Sequence, residues 1–151
     1  MEEKIYQPPK ANIKVKEASS GSLLKGVIFG SATDIFGSLF FGVIFSIGYA
    51  FFLASQGLSE NELIAQIEHI DLLSPAGLFG VLIGALISFY AGYLCAKKSG
   101  EHALKATLIV TLISCLFGLA LGFNHYSIIE SSVLSVITAL AIFGGSTLWR
   151  P

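Results

Sequence analysis

Along this chain, uncharged apolar runs alternate with short polar stretches, and four runs reach the length that a bilayer demands. They cover about residues 26–54, 76–96, 106–123 and 133–149. A hydrocarbon core about 30 Å thick is crossed by roughly 17 to 25 apolar residues rising 1.5 Å each, so every run is expected to form a membrane-spanning helix. The charge they contain is a single one, Asp34 in the first run. At a helix centre an aspartate costs about 2.5 to 3.5 kcal/mol, while the apolar residues between Ile35 and Leu53 contribute roughly 4 to 7 kcal/mol on the same scale. The first span therefore survives its acid.

The polar connections carry the orientation signal. Basic residues occupy three places: Lys4, Lys10, Lys14, Lys16 and Lys25 before the first run, Lys97, Lys98 and Lys105 between the second and third, and Arg150 at the end. The connections Ser55 to Pro75 and Asn124 to Ser132 hold no Lys or Arg. Alternation of this kind follows the positive-inside rule and predicts a multi-pass membrane protein with both termini in the cytoplasm; the tail and the compactness of the chain point to a bacterial cytoplasmic (inner) membrane. The long basic leader before the first run is unlike a cleaved signal peptide, so that span is expected to be retained.

Two segments outside the runs have their own character. Residues 1–22 contain Pro8-Pro9 and Ser19-Ser20-Gly21-Ser22 without a burying face, and read as a flexible cytoplasmic tail whose lysines rest on anionic lipid. Ser59 followed by Glu62 has capping-box spacing, and Leu63, Ile64, Ile67, Ile70 and Leu73 recur at helical intervals, which predicts a short external amphipathic helix over about 60–73. The expected architecture is an all-α membrane protein: a compact four-transmembrane-helix bundle over residues 23–151 with that helix between the first two spans.

Composition narrows the function classes. With 54% hydrophobic and 13% charged residues and a mean hydropathy of +0.76, the chain has too little polar surface for a water-soluble enzyme, a disordered tail or a nucleic-acid binder. Its expected partners are the lipid bilayer and either itself or another integral membrane protein. Cys95 and Cys115 read as small packing residues. Glu68, His69 and Asp71 are acceptable zinc ligands by type, but neighbours on a helix point about 100° apart and no second His follows at i+4, so a solvated acidic face is expected and no metal or cofactor. His125 and Glu130 read as ordinary loop polar groups.

Close packing of membrane helices relies on small residues at i, i+4 spacing. The first span carries Gly26, Gly30, Asp34, Ser38, Gly42, Ser46, Ala50 and Ala54 in one row; the second carries Ala76, Gly80, Gly84, Ser88, Gly92 and Ala96. The third has Ala106, Ser114, Gly118 and Gly122, and the fourth Ser131, Ser135 and Ala139 before Phe143 ends the row. Spans one and two are expected to be the tightest pair, touching along their rows, so that leucine at Gly84 or Ser38 would weaken the fold severely.

Asp34 lies in such a row and is expected to point inward. Counting from Lys25, Lys105 and Ala96 places Asp34, Ser114 and Ser88 at a common depth of about 12 to 14 Å. They form a candidate hydrogen-bonded polar layer. It either ties helices together or binds a proton or cation on a permeation path. The spans contain no His, no second acid and no Gly-x-Ser-x-Gly, which leaves enzyme chemistry little to stand on. The preferred reading is a non-enzymatic accessory or assembly subunit acting through small-residue helix packing. The alternative is a small oligomeric channel, or a proton- or cation-coupled carrier, using Asp34.

Tyr6-Gln7-Pro8-Pro9-Lys10-Ala11 resembles the short tails that precede the spans of many uncharacterised bacterial inner-membrane proteins. Four spans with an acid in the first also resemble the small multidrug-resistance exporters in architecture. Gly30-Ser31-Ala32-Thr33-Asp34-Ile35-Phe36-Gly37 departs from the Ala-Glu pattern of those exporters, and no substrate site is carried over.

Overall fold

In the computed structural model, residues 21–68, 70–122 and 125–149 are described. The expectations for residues 1–20, His69 and Arg150 fall outside them. Among the described residues all regular structure is helical: α1 Leu23–Ser55, α2 Glu60–Glu68, α3 Pro75–Ser99, a 3-10 turn Gly100–His102, α4 Ala103–Gly122 and α5 Ile128–Thr147. Three continuous helical stretches are long and apolar enough to cross a membrane: Leu23–Ser55, Pro75–Gly122 and Ile128–Thr147.

Local chemistry sets the helix ends. Ser74 caps α3, its hydroxyl accepting from Gly77 N at 3.0 Å, with Pro75 in the first helical position where its missing N–H costs nothing. Ser127 and Glu130 form a full capping box at the start of α5, so Glu130 is a helix-start residue and not an ordinary loop group. At α2 the Glu62 carboxylate accepts from both the N–H and the hydroxyl of Ser59, at 2.9 and 2.7 Å. That helix ends at Glu68, short of the expected 73, because Asp71 turns the chain by accepting from Leu73 N and Ser74 then begins the next helix. Gly100, at φ 57° and ψ −121°, takes a positive-φ conformation open mainly to glycine, and this stops α3.

Helix α1 packs mainly on α3, α3 on α5, and α4 touches α1, α5 and α3. The chain folds back at Gly100–His102: a Cβ on Gly30 would lie 2.8 Å from Cys95 Cβ of α3 and 3.0 Å from Val110 Cγ2 of α4. Residues on either side of the turn thus stand at one level. Lys25, Lys97, Lys98 and Lys105 are all exposed at this end of the bundle, called the basic end below. Lys97 and Lys98 lie over the rings of Tyr93 and Phe29, their stems along apolar surface. Gly21 and Ser22, expected in the mobile tail, are docked here, with Ser22 N donating to Lys98 O at 3.0 Å. Helix α2 lies at the opposite, α2 end, beside α1, with none of its residues buried.

Burial is lopsided along the bundle axis. Ala91, Cys95, Ala96, Ser99, Ala106, Thr107, Val110 and Ile142 are sealed from solvent, and all belong to the basic half. The α2 half has few sealed positions on its helices. Phe36, Phe40 and Phe51 are exposed on the outer side of α1, while Phe41 and Phe45 stack at 5.8 Å and turn toward Phe79 of α3.

Candidate functional site

The small-residue rows do face the interior, but they divide into two kinds of surface. In the basic half they bring backbones together. Gly26 lies against Ser99 and the Cys95 carbonyl, and Gly30 against Cys95, Val110 and the Ala91 carbonyl. The α3 surface that receives them is the line Ala91, Cys95, Ser99, next to the expected row. Gly92 belongs to a different contact: it faces the Ile142 carbonyl of α5, while Gly145 of α5 faces the Phe89 carbonyl and Tyr93 N of α3. This paired glycine crossing is hidden in the sequence, where the small-residue row of span four ends at Phe143.

In the α2 half the same residue types do the opposite. A Cβ on Gly42, Gly80, Gly84 or Gly118 would meet nothing within 4 Å. These four are therefore not helix-to-helix contacts, contrary to the expectation drawn from their spacing. With Ser38, Ser46, Gly122, Phe41, Phe45 and residues of α5 they line a cavity of about 660 Å³. Gly122 also touches the Tyr126 ring, at 3.3 Å from a built Cβ. A small side chain permits close approach but does not enforce it; where helices diverge, it leaves space.

The chamber runs between α1, α3, α4 and α5, with Glu68, Ile70, His125 and Tyr126 at its α2 end. Ser38 and Ser114 belong to its lining. One helical turn from Ser38 toward the basic end lies Asp34, 6% exposed. The Ser88 hydroxyl, itself buried, donates to Asp34 Oδ1 at 2.6 Å. Two members of the expected polar layer are thus joined across the α1–α3 interface, a charge-assisted or neutral bond in a low-dielectric setting.

Ser114 occupies the third position, 5% exposed, but its hydroxyl has no hydrogen-bond partner among the described residues. The layer is closed between Asp34 and Ser88 and open at Ser114. Ser31 and Thr111 are in the same unpartnered condition, while Thr107 lies beside the Cys95 thiol. A buried polar group left this way costs about 1 to 3 kcal/mol, so such groups ask for a chemical reason. Ser31 lies outside the expected layer, although its i, i+3 relation to Asp34 puts it on the same side of α1.

Cys115 lines the chamber and its thiol donates weakly to the Ser135 carbonyl at 3.6 Å, whereas Cys95 is wholly buried below. They lie on different sides of the Asp34 level and are both free thiols. The arrangement offers one carboxyl, several hydroxyls, an apolar wall and a closed base. That suits reversible binding of a proton, a cation or a small polar group. No family model, curated protein or solved structure matches this chain.

Proposed function

We propose that this chain is a four-pass protein of a bacterial cytoplasmic membrane, its basic end in the cytoplasm, that binds a proton or small cation at Asp34 beneath an outward-facing chamber. It would act as a subunit of a small oligomeric channel or carrier, without enzymatic activity. The observation that carries the reading is the cavity of about 660 Å³ whose lining includes Ser38 and Ser114 and which ends next to the Asp34–Ser88 pair. Beyond that pair the glycine contacts of the basic half close the bundle. An intramembrane acid at the inner end of a cavity is the usual placement for an ion-binding group.

Four passes follow if the 48-residue stretch Pro75–Gly122 is counted as two, divided at the Gly100–His102 turn. The lysines at that turn and before α1 favour a cytoplasmic basic end. The test is cation flux in proteoliposomes, wild type against Asp34→Asn, with folding checked by circular dichroism. Flux in the wild type that is lost in the variant supports the proposal; equal flux in both rejects it.

A second reading, the accessory or assembly subunit, draws support from a shallow apolar groove on the outward side of α1 formed by Phe36, Gly37, Leu39, Phe40 and Val43. Another membrane helix would fit there. Recovery of a stoichiometric partner on gentle purification, lost with Phe40→Ala in the exposed groove, together with absence of flux, would favour this reading.

A further inference from the structure

Of the lysines at the basic end, two converge on one seam. Ser22 N donates to Lys98 O at 3.0 Å, which lays the start of α1 against the end of α3. Gly26, one turn on, lies against Ser99, so the helices stay in touch along this line. Lys25 adjoins Gly26 and stands one turn from Phe29, residues four apart on a helix being surface neighbours. From the other helix the Lys98 ammonium lies 5.4 Å from the centre of the Phe29 ring. Lys25 and Lys98 therefore flank one aromatic ring on one side of the α1–α3 seam. Lys97 lies instead over Tyr93 of its own helix, and Lys105 belongs to α4.

Two ammonium groups brought to one seam repel each other, and an anion between them relieves the repulsion. Against the lysines, the acidic residue among the described residues of this end is Glu101, in the turn. The same stretch of α1 leaves Leu24, Ile28 and Phe29 exposed by half or more. The occupant that fits both features carries negative charge directly beside hydrocarbon. A free phosphate or an acidic peptide matches the lysines alone, and a neutral lipid matches the apolar shelf alone.

We propose that Lys25 and Lys98 hold the phosphate of an anionic phospholipid in the leaflet at the basic end, with its hydrocarbon against Ile28 and Phe29. The site is separate from the chamber and stands under either functional reading, provided that the basic end meets lipid headgroups. A lysine ammonium is a compact charge with three rotatable donors, and its stem can rest on apolar surface, as that of Lys98 does on Phe29. One phosphate gripped from α1 and α3 together ties the two helices at the end where their backbones are closest. A lysine near an anionic lipid surface is worth a gain of roughly fivefold in affinity, and a pair roughly thirtyfold.

The experiment is native mass spectrometry of the full chain in a neutral detergent, titrated with phosphatidylglycerol or with phosphatidylcholine of the same acyl chains. The wild type is expected to prefer phosphatidylglycerol roughly thirtyfold, Lys25→Gln and Lys98→Gln singly roughly fivefold, and the double variant not at all. The pair Lys97→Gln and Lys105→Gln should keep the full preference. Equal affinity of the wild type for both lipids, a preference retained by the Lys25 and Lys98 double variant, or an equal loss in the Lys97 and Lys105 pair overturns the site. Displacement of the lipid by millimolar inorganic phosphate overturns the lipid as its occupant. If the glutamine variants do not fold, acetylation of wild-type lysines in nanodiscs decides. Slower reaction confined to Lys25 and Lys98 when phosphatidylglycerol replaces phosphatidylcholine supports the proposal; protection alike at Lys25, Lys97, Lys98 and Lys105, or at none of them, overturns it.

Discussion

Ser88 and Asp34, fifty-four residues apart in sequence, are joined by a hydrogen bond of 2.6 Å that crosses from α3 to α1. The bond lies at the boundary between a tightly packed half of the bundle and an open one. Its position makes it a fastener for the α1–α3 pair, one helical turn from Ser38 in the chamber lining. Ser88→Ala is expected to destabilise the protein by about 1 to 2 kcal/mol, since the buried carboxyl loses its partner. Asp34→Asn, which keeps an acceptor for Ser88, is expected to cost less. Unfolding titrations in mixed micelles give both values; equal stability of Ser88→Ala and wild type would remove the structural role.

Glycines that look alike along the sequence should differ sharply when substituted. At Gly92 and Gly145 an added Cβ would collide with backbone atoms of the opposite helix, at Ile142 and Phe89. Alanine at either is expected to cost about 1 to 3 kcal/mol, by forcing α3 and α5 apart. Gly84→Ala and Gly80→Ala, where nothing lies within 4 Å, should leave thermal stability nearly unchanged. A melting-temperature series on the four variants checks the division. Similar losses at all four would mean that the open half is packed.

The start of α2 should respond to acid. Ser59 donates twice to the exposed Glu62 carboxylate, and these bonds hold its pKa below the ordinary 4.5. A carboxyl depressed by folding stabilises the folded form above its unfolded pKa, and that contribution fades as pH falls through the lowered folded value. Amide exchange within Glu60–Glu68, corrected for the intrinsic rate, is therefore expected to speed up below about pH 4.5, and Glu62→Gln should weaken the dependence. A flat profile in the wild type would contradict the cap.

Removing the box at the start of α5 should loosen the helix locally. Ser127→Ala deletes the acceptor for Glu130 N and the hydroxyl donor to its carboxylate, at an expected cost of about 1 kcal/mol. Exchange at Ile129 and Glu130 should rise first. Exchange near Ile142, sealed in the basic half, should not change.

Much of this was written in the order of residues. Helix count and the shared depth of Asp34, Ser88 and Ser114 follow from hydropathy and from counting at 1.5 Å per residue away from lysines, both properties of one helix at a time. The inward side of each row was equally legible. What the rows do at that side was not. Gly84 and Gly92 are two turns apart in one row, yet one lines open space and the other touches a carbonyl, because the helices diverge toward the α2 end. Divergence is a property of pairs of helices, and spacing along a single helix carries no record of it. The Gly92–Gly145 crossing escaped for a related reason: Phe143 interrupts a four-residue spacing that the real contact, offset by one helix face, never uses. Hydroxyl partnering is likewise invisible in sequence, since Ser114 and Ser135 differ only in which way their oxygens turn.

The central claim is that an open chamber over Asp34 adjoins a sealed half of the same bundle, and the two native cysteines report on each part. Protein in nanodiscs, where both faces are accessible, is treated with a small polar methanethiosulfonate and the adducts are located by mass spectrometry. Cys115 is expected to be modified and Cys95 to stay free until the protein unfolds, with Gly84→Leu protecting Cys115 by filling the space beside it. Modification of Cys95 at a similar rate, or an inert Cys115 in the folded wild type, would contradict the account.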